Sequence, residues 1–220
     1  KAFHTPKALF PFWERCIRNL AGLGRVNTDA PMTRIAKRYL HTDVLVVGGG
    51  PAGMAAALAA ADRGVRVTLV DENPHLGGSL DYQHVNDPAA AAQRKDLKSR
   101  ISEAPGIKVI TGGEASANYA DHWVPVTMSD GIVKIRSRTT VFATGVFEQP
   151  AVFHNNDLPG VLLASAAQRL IARYAVKPCN KAVVLTANAE GYRAALDLLE
   201  AGVEIAAIAD TGDSAERGPL

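Results

Sequence analysis

Three glycines and two carboxylates are the residues of this chain whose types and spacing most directly imply chemistry. Gly48, Gly50 and Gly53 stand at G-x-G-x-x-G spacing, and Asp71 and Glu72 follow them by roughly 20 residues. The pattern suits the holding of a pyrophosphate-bridged dinucleotide. Gly48 allows a tight turn, Gly50 lets a pyrophosphate approach the backbone, and Gly53 lets the following helix pack close to its strand. That helix would point unpaired N–H groups and the positive end of its dipole at the phosphates. An acid at 71 or 72 accepts hydrogen bonds from ribose hydroxyls, and an acid rather than a base there disfavours a 2′-phosphate, hence NADP.

Little else in the chain has the makings of a reactive centre. His75 stands alone in a loop and reads as a solvated or capping side chain. Cys16 and Cys179 are far apart without a CxxC, which removes a dithiol, and both are expected to be reduced and buried.

The elements that must position the seat are legible around it. Val44 to Val47 is a short apolar run, as expected for a parallel strand covered on both faces. A helix rich in alanine and leucine runs from Met54 to Arg63, with Gly64 ending it, and Val65 to Val70 forms the second strand. In the loop NPHLGGSL, Gly77 and Gly78 would let backbone pass close over a bound pyrophosphate. Asp87 and Pro88 form an N-cap and N1 pair for a helix reaching toward Glu103. Ile107 to Thr111 is a further parallel strand, whose end at Glu114 to Ser116 would reach the adenine side. Trp123–Met128 and Ile132–Arg136, joined by Ser129, Asp130 and Gly131, form an antiparallel hairpin. Thr140 to Ala143 returns as a buried strand ending in Thr144 and Gly145.

A helix from Ala164 to Tyr174 leads to a second strand, turn and helix: Lys181 to Thr186, then Tyr192 to Glu200, then a strand from Val203 to Ala209. Its turn keeps only Gly191, with Thr186 and Asn188 in the other glycine places, so this half reads as structural. The order predicts an α/β protein with a Rossmann-like FAD/NAD(P)-binding fold. Its parallel sheet carries an antiparallel β-hairpin excursion, and a second, degenerate Rossmann-like unit begins after it. Three regions are expected: a basic arm with a short amphipathic helix over 1–42, a dinucleotide-binding domain over 43–160, and a linker helix with an incomplete second unit over 161–220. In the arm, Lys1, Lys7, Arg15, Arg18, Arg25, Arg34, Lys37 and Arg38 face only Glu14 and Asp29, and Trp13, Cys16, Ile17 and Leu20 make one apolar stripe.

The totals exclude several classes. A net charge of +2 and 6% aromatics leave no broad basic face for nucleic acid. No run of about 20 apolar residues is available to span a bilayer, and no signal peptide is evident, so a cytoplasmic protein without a membrane partner is expected. The start at Lys1 points to a piece of something longer.

Taken together, FPFWERCIRNLAGLGRV, DVLVVGGGPAGMAAALAAADRG, VDENPHLGGSL, FATGVFEQPAVFHNNDLPGV and VVLTANAEGYRAALDL resemble the alpha subunit of heterotetrameric sarcosine oxidase. The related opine and hydroxyproline dehydrogenase alpha subunits are similar as well. The resemblance implies the central part of such a subunit, holding NAD in this site and assembling with a beta subunit that carries flavins and demethylates sarcosine to glycine and formaldehyde. It places Pro51, Ala52 and the neighbouring glycines on the pyrophosphate, and Asp71 and Glu72 on the ribose. Asn73, Gly78 and Ser79 would lie along the ligand, Ala115 or Ser116 at the adenine, and Thr144 and Gly145 at the end of the returning strand. The residues alone favour FAD in the same pocket, since G-x-G-x-x-G with ATG is usually a flavin pattern. An empty structural module is the third alternative.

Overall fold

The computed structural model describes residues 7–22, 24, 27–29 and 34–212. Lys1 and Arg25 of the basic arm, and the tail from 213 onward, lie outside the described residues. The chain divides into two compact units, Lys1–Ile35 and Ala36–Leu220. The described part of the first contains α1 (Phe10–Leu20), whose last turn passes into Gly22 at φ +62°. Its stripe of Trp13, Cys16, Ile17 and Leu20 is exposed.

The second unit holds a six-stranded sheet in the order β3-β2-β1-β6-β5-β4. Its strands are β1 (Ala36–Val47), β2 (Val67–Asp71), β3 (Ile107–Thr111), β4 (Glu114–Ala115), β5 (Trp123–Met128) and β6 (Gly131–Phe142). Parallel ladders join β1 to β2, β2 to β3 and β1 to β6, while β5 runs antiparallel to both β4 and β6. Helices α2 (Pro51–Ala61) and α3 (Pro88–Glu103) cover one face. There Met54, Ala57 and Leu58 pack with Val46, Leu69, Leu97 and Ile101. A second cluster of Leu45, Val47, Val70, Val124, Val126, Val133 and Ile135 fills the other face. Burying each such side chain contributes about 1.5–3 kcal/mol. Neighbouring residues of β1 thus serve opposite cores, which is why the strand reads as a continuous apolar run.

Two strands are longer than the residue pattern implied. β1 starts at Ala36 rather than Val44, because Ala36 to Thr42 pair in register with Gly131 to Ser137. The stretches read as a hairpin strand and a separate returning strand are one strand, β6, antiparallel to β5 at its start and parallel to β1 throughout. In β6 the joining residues Arg136, Arg138 and Thr139 are polar and exposed, and in β1 Lys37, Arg38, Tyr39 and His41 are exposed, so hydrophobicity marks only part of each strand.

Beyond β6 an extended segment leads to α4 (Ala164–Tyr174), then β7 (Lys181–Thr186), α5 (Ala189–Glu200) and β8 (Glu204–Asp210). β7 and β8 pair in parallel as a separate two-stranded sheet over a small core of Ala167, Val184, Ala195, Leu198 and Val203. Cys16 and Cys179 are both exposed, contrary to the expectation of buried thiols. Cys179 lies in the connector before β7, and α1 buries no residue. Among the described residues no helix is long and apolar enough to cross a membrane.

Candidate dinucleotide site

The site begins where β1 ends. The Gly48 N–H donates to the Val70 carbonyl at 2.8 Å, and the Ala143 N–H donates to the Val47 carbonyl at 2.7 Å, so the turn starts between the ends of β2 and β6. Gly48 has φ +106°, and a side chain there would run into the Ala143 carbonyl. A side chain at Gly53 would run into the Gly48 carbonyl oxygen, so α2 packs directly against the turn. The Gly77–Gly78 loop closes over it: the Gly77 N–H donates to the Gly49 carbonyl at 2.9 Å, and a Cβ on Gly78 would lie 2.7 Å from Gly50 Cα. These two glycines therefore lie against the turn itself.

Asp71 ties the turn from below. It is 7% exposed, and its Oδ2 accepts the Gly49 N–H at 2.6 Å. Its Oδ1 accepts from the Asn73 backbone N–H at 2.7 Å and from Asn73 Nδ2 at 3.0 Å. A carboxylate offers about four lone-pair directions, so most of Asp71's capacity holds the turn and the Asn73 bend. Glu72 is exposed at the end of β2. The N–H groups of Gly112 and Gly113 donate to the carbonyls of Asn73 and Asp71 at 2.9 and 3.0 Å, which brings the start of β4 to the same end of the sheet.

The structure thus brings Gly48, Gly50, Pro51, Ala52, Gly53, Asp71, Asn73 and Gly78 into one constellation. Thr144 and Gly145 follow Ala143 directly beside it, and Ser79 follows Gly78 within the short 3₁₀ turn Gly78–Asp81. Ala115 pairs with Val126 in the β4–β5 ladder, and the Ser116 N–H donates to the Pro125 carbonyl at 3.2 Å, so that backbone donor is engaged within the sheet.

Helix termini separate this turn from the rest of the second unit. Asp87 caps α3 through the Ala89 N–H at 2.8 Å, and Asn188 caps α5 through the Glu190 N–H at 3.0 Å. The Glu148 carboxylate accepts from the Ala164 and Ser165 N–H groups at 2.8 and 2.9 Å and so caps α4. Among the described residues α2 alone of these four receives no side-chain cap, and its N-cap is Gly50. First-turn N–H groups left without a protein acceptor, beside backbone that carries no Cβ, fit a pyrophosphate.

The second turn is filled. Thr186 Oγ1 donates to the Asn188 carbonyl at 2.9 Å and accepts the Asn188 N–H at 3.2 Å. Any side chain at Gly191 would strike the Thr186 side chain. Tyr192 Oη donates to Asp210 at the end of β8 at 2.9 Å.

Sequence reasoning missed three side chains. Arg169 and Arg173 of α4 lie over the Tyr82 ring, at 4.6 and 5.3 Å from its centroid, and Arg173 Nη1 reaches Asn73 Oδ1 at 3.5 Å. Glu148, 16 residues before the helix it caps, was the third, and no local signal marks any of them. At the start of the parallel core, Asp43 accepts from the Arg66 side chain and backbone N–H, both at 3.1 Å. Those bonds, the side-chain one foremost, hold its carboxyl below the usual carboxylate range.

With this geometry in place, the comparisons define the class. Residues 43–149 match the family model of FAD dependent oxidoreductases, and that part of the chain belongs to this family. The chain is a homologue of sarcosine oxidase alpha subunits. It is 35% identical to the sarcosine oxidase alpha subunit of Rhizobium meliloti over 93% of this chain and 23% of that protein. An opine oxidase subunit of Agrobacterium tumefaciens is 31% identical over 81% of this chain and 38% of that protein. The chain therefore spans about a quarter of the length of the first and well under half of the second. Among solved structures, L-proline dehydrogenase from P. horikoshii shares the fold, with a TM-score of 0.68 and 24% identity over 86% of this chain and 39% of that one. An FAD-type dinucleotide fold is what the family supports, and NAD as first cofactor finds no support in these comparisons.

Proposed function

We propose that this chain is the dinucleotide-binding part of a larger oxidoreductase and that it seats FAD on the Gly48–Gly53 turn. The uncapped α2 terminus facing Gly50 and Gly78 carries this reading. The Ala52 and Gly53 N–H groups and the α2 dipole would hold the pyrophosphate, and Pro51 at the first helical position has no N–H to leave unsatisfied. Glu72 would accept from the adenosine ribose, with the last free direction of Asp71 beside it and Asn73 held in place by Asp71. Ser79, Thr144 and Gly145 would line the ligand, and Ala115 or Ser116 would meet the adenine. A bound flavin supplies hydride acceptance, and this chain's residues bind and orient it. The names of the relatives, subunits of sarcosine and opine oxidases, support oxidation of that type in the assembled protein, with the substrate handled together with partner subunits. We propose that one of these is a flavin-carrying beta subunit. We take 43–160 as the cofactor domain and 161–220 as the unit that buttresses it.

The test is an absorption spectrum of the purified chain, with mass spectrometry of what denaturation releases. The two visible bands of an oxidised flavin with FAD released are expected. NAD released without a visible band would replace the flavin by a nicotinamide in the same seat, as the family resemblance first implied. Neither released ligand nor any thermal shift with FAD, NAD or ADP would overturn the site, because a ligand that binds the folded state must stabilise it.

A further inference from the structure

A second face of the molecule, away from the glycine turn, carries unbalanced charge framed by aromatic rings. Strand register places it. Tyr39 pairs with Lys134 and His41 with Arg136 across β1 and β6, while Pro125 and Trp123 oppose the same two residues across β5. Leu40, Val124, Val126, Val133 and Ile135 alternate with these and point into the core. The period of two leaves Tyr39, His41, Trp123, Lys134 and Arg136 together on the outer face, where they line a hollow of about 370 Å³.

The groups in the hollow are not equivalent. Lys134 Nζ lies 5.5 Å from the centroid of Tyr39 and 5.3 Å from that of Trp123, so two rings hold the ammonium in place. Tyr119 stacks on Trp123 at 4.7 Å and 18°, so the indole is itself fixed. Among the described residues no carboxylate reaches Lys134, Arg136 or His41. The neighbouring cations do have partners: Arg66 and Arg138 share Asp43, and Arg38 meets Asp130. Within the lining of the hollow, the unmatched formal positive charge is that of Lys134 and Arg136 on β6.

We propose that this face docks an extended acidic segment of a partner polypeptide, with carboxylates at alternate positions seated on Lys134 and Arg136. The spacing is the argument for an extended chain. Lys134 and Arg136 are two residues apart on one strand, about 6.6 Å, and alternate side chains of an extended segment repeat at the same distance. Tyr, Trp and Arg are the residue types that dominate the energetics of protein interfaces, and here all three surround the charge. Backbone groups of β1 and β6 are already paired along this stretch, so recognition runs through side chains and adds no strand to the sheet.

The test measures fluorescence anisotropy of a dye-labelled peptide of alternating glutamate and threonine, titrated with the full chain. Lys134→Glu and Arg136→Glu should each weaken binding by about tenfold or more. Arg136→Gln should weaken it less, and Lys134→Arg should retain it. Lys108→Glu, on the exposed side of β3, makes the same change in net charge and should leave binding unchanged. An equal loss with Lys108→Glu would reduce the effect to overall charge and overturn the proposal. So would absence of binding to the wild-type chain. Competition by citrate as effective as by unlabelled peptide at matched carboxylate concentration would assign the hollow to free small carboxylates and overturn docking. Far-UV circular dichroism of each variant separates loss of the face from loss of the fold. None of these residues touches the glycine turn, so the outcome is independent of the dinucleotide reading.

Discussion

Adding a single methyl at Gly50 should abolish much of the dinucleotide affinity while leaving the fold intact, and the structure gives both magnitudes. Gly50 has φ −72° and ψ −177°, which any L-residue adopts, and a Cβ there meets only Gly78 Cα at 3.8 Å. Reduced freedom of the unfolded chain stabilises Gly50→Ala by about 0.4–1 kcal/mol. Alanine is a poorer N-cap than glycine by a similar amount, about 1 kcal/mol. The two offset, so the melting temperature should stay within about 2–4 °C of wild type. The same methyl occupies the gap through which a pyrophosphate approaches the backbone, and overpacking of that kind costs about 1–3 kcal/mol. Affinity should fall by about 5- to 150-fold. Gly53→Ala is the converse case, because its methyl collides with the rigid Gly48 carbonyl and α2 must shift. It should lose stability by about 1–3 kcal/mol before any ligand is added. Calorimetric titration with FAD and with ADP, alongside thermal melts of the apo proteins, reads both effects. If Gly50→Ala binds within about twofold of wild type, the pyrophosphate does not sit over Gly50 and the assignment of the seat fails.

The other variants divide in the same way between holding the turn and holding the ligand. Asp71→Asn places an amide donor or a weaker acceptor against N–H groups that Asp71 now receives, and should cost about 1–3 kcal/mol in a denaturant titration. Glu72→Gln, at an exposed position, should weaken dinucleotide binding without moving the melting temperature. Glu148→Ala uncaps α4 and should cost about 1 kcal/mol, with faster proteolysis between 149 and 163 and unchanged ligand affinity. Asp43 has a folded-state pKa below its ordinary value of 3.8, so its bonds to Arg66 stabilise the protein above that value and lose their effect as pH falls through the lowered one. Thermal melts from neutral pH into that acid range should show a shallower decline for Asp43→Asn than for wild type.

What was legible in the residues was local, and what was not was tertiary. The glycine spacing, the Asp87–Pro88 start of α3 and the Ser129–Gly131 turn each depend on the conformation of a few consecutive residues, and each is where sequence placed it. The first half of β1 was missed because its pairing partner lies about a hundred residues away and its outer side chains are polar. The Asp71 bond to the Gly49 N–H and the Glu148 cap are bonds to backbone, which any sequence presents, so nothing local announces them.

The two strand-turn-helix units show how small the difference between open and closed can be. In the first, glycine at 48 and 50 leaves the turn without side chains, and the acceptor that steadies it, Asp71, comes from the neighbouring strand below. In the second, the acceptor and donor come from Thr186 within the turn itself, and its hydroxyl bonds the Asn188 N–H and carbonyl. That hydroxyl takes up the Asn188 N–H, a backbone donor of the kind a phosphate needs, and it stands against Gly191, the glycine that remains. Removing Cβ atoms alone does not make a seat. The turn must also be steadied from outside, so that its own N–H groups stay directed at the ligand, and only the Gly48–Gly53 turn of this chain meets both conditions among the described residues.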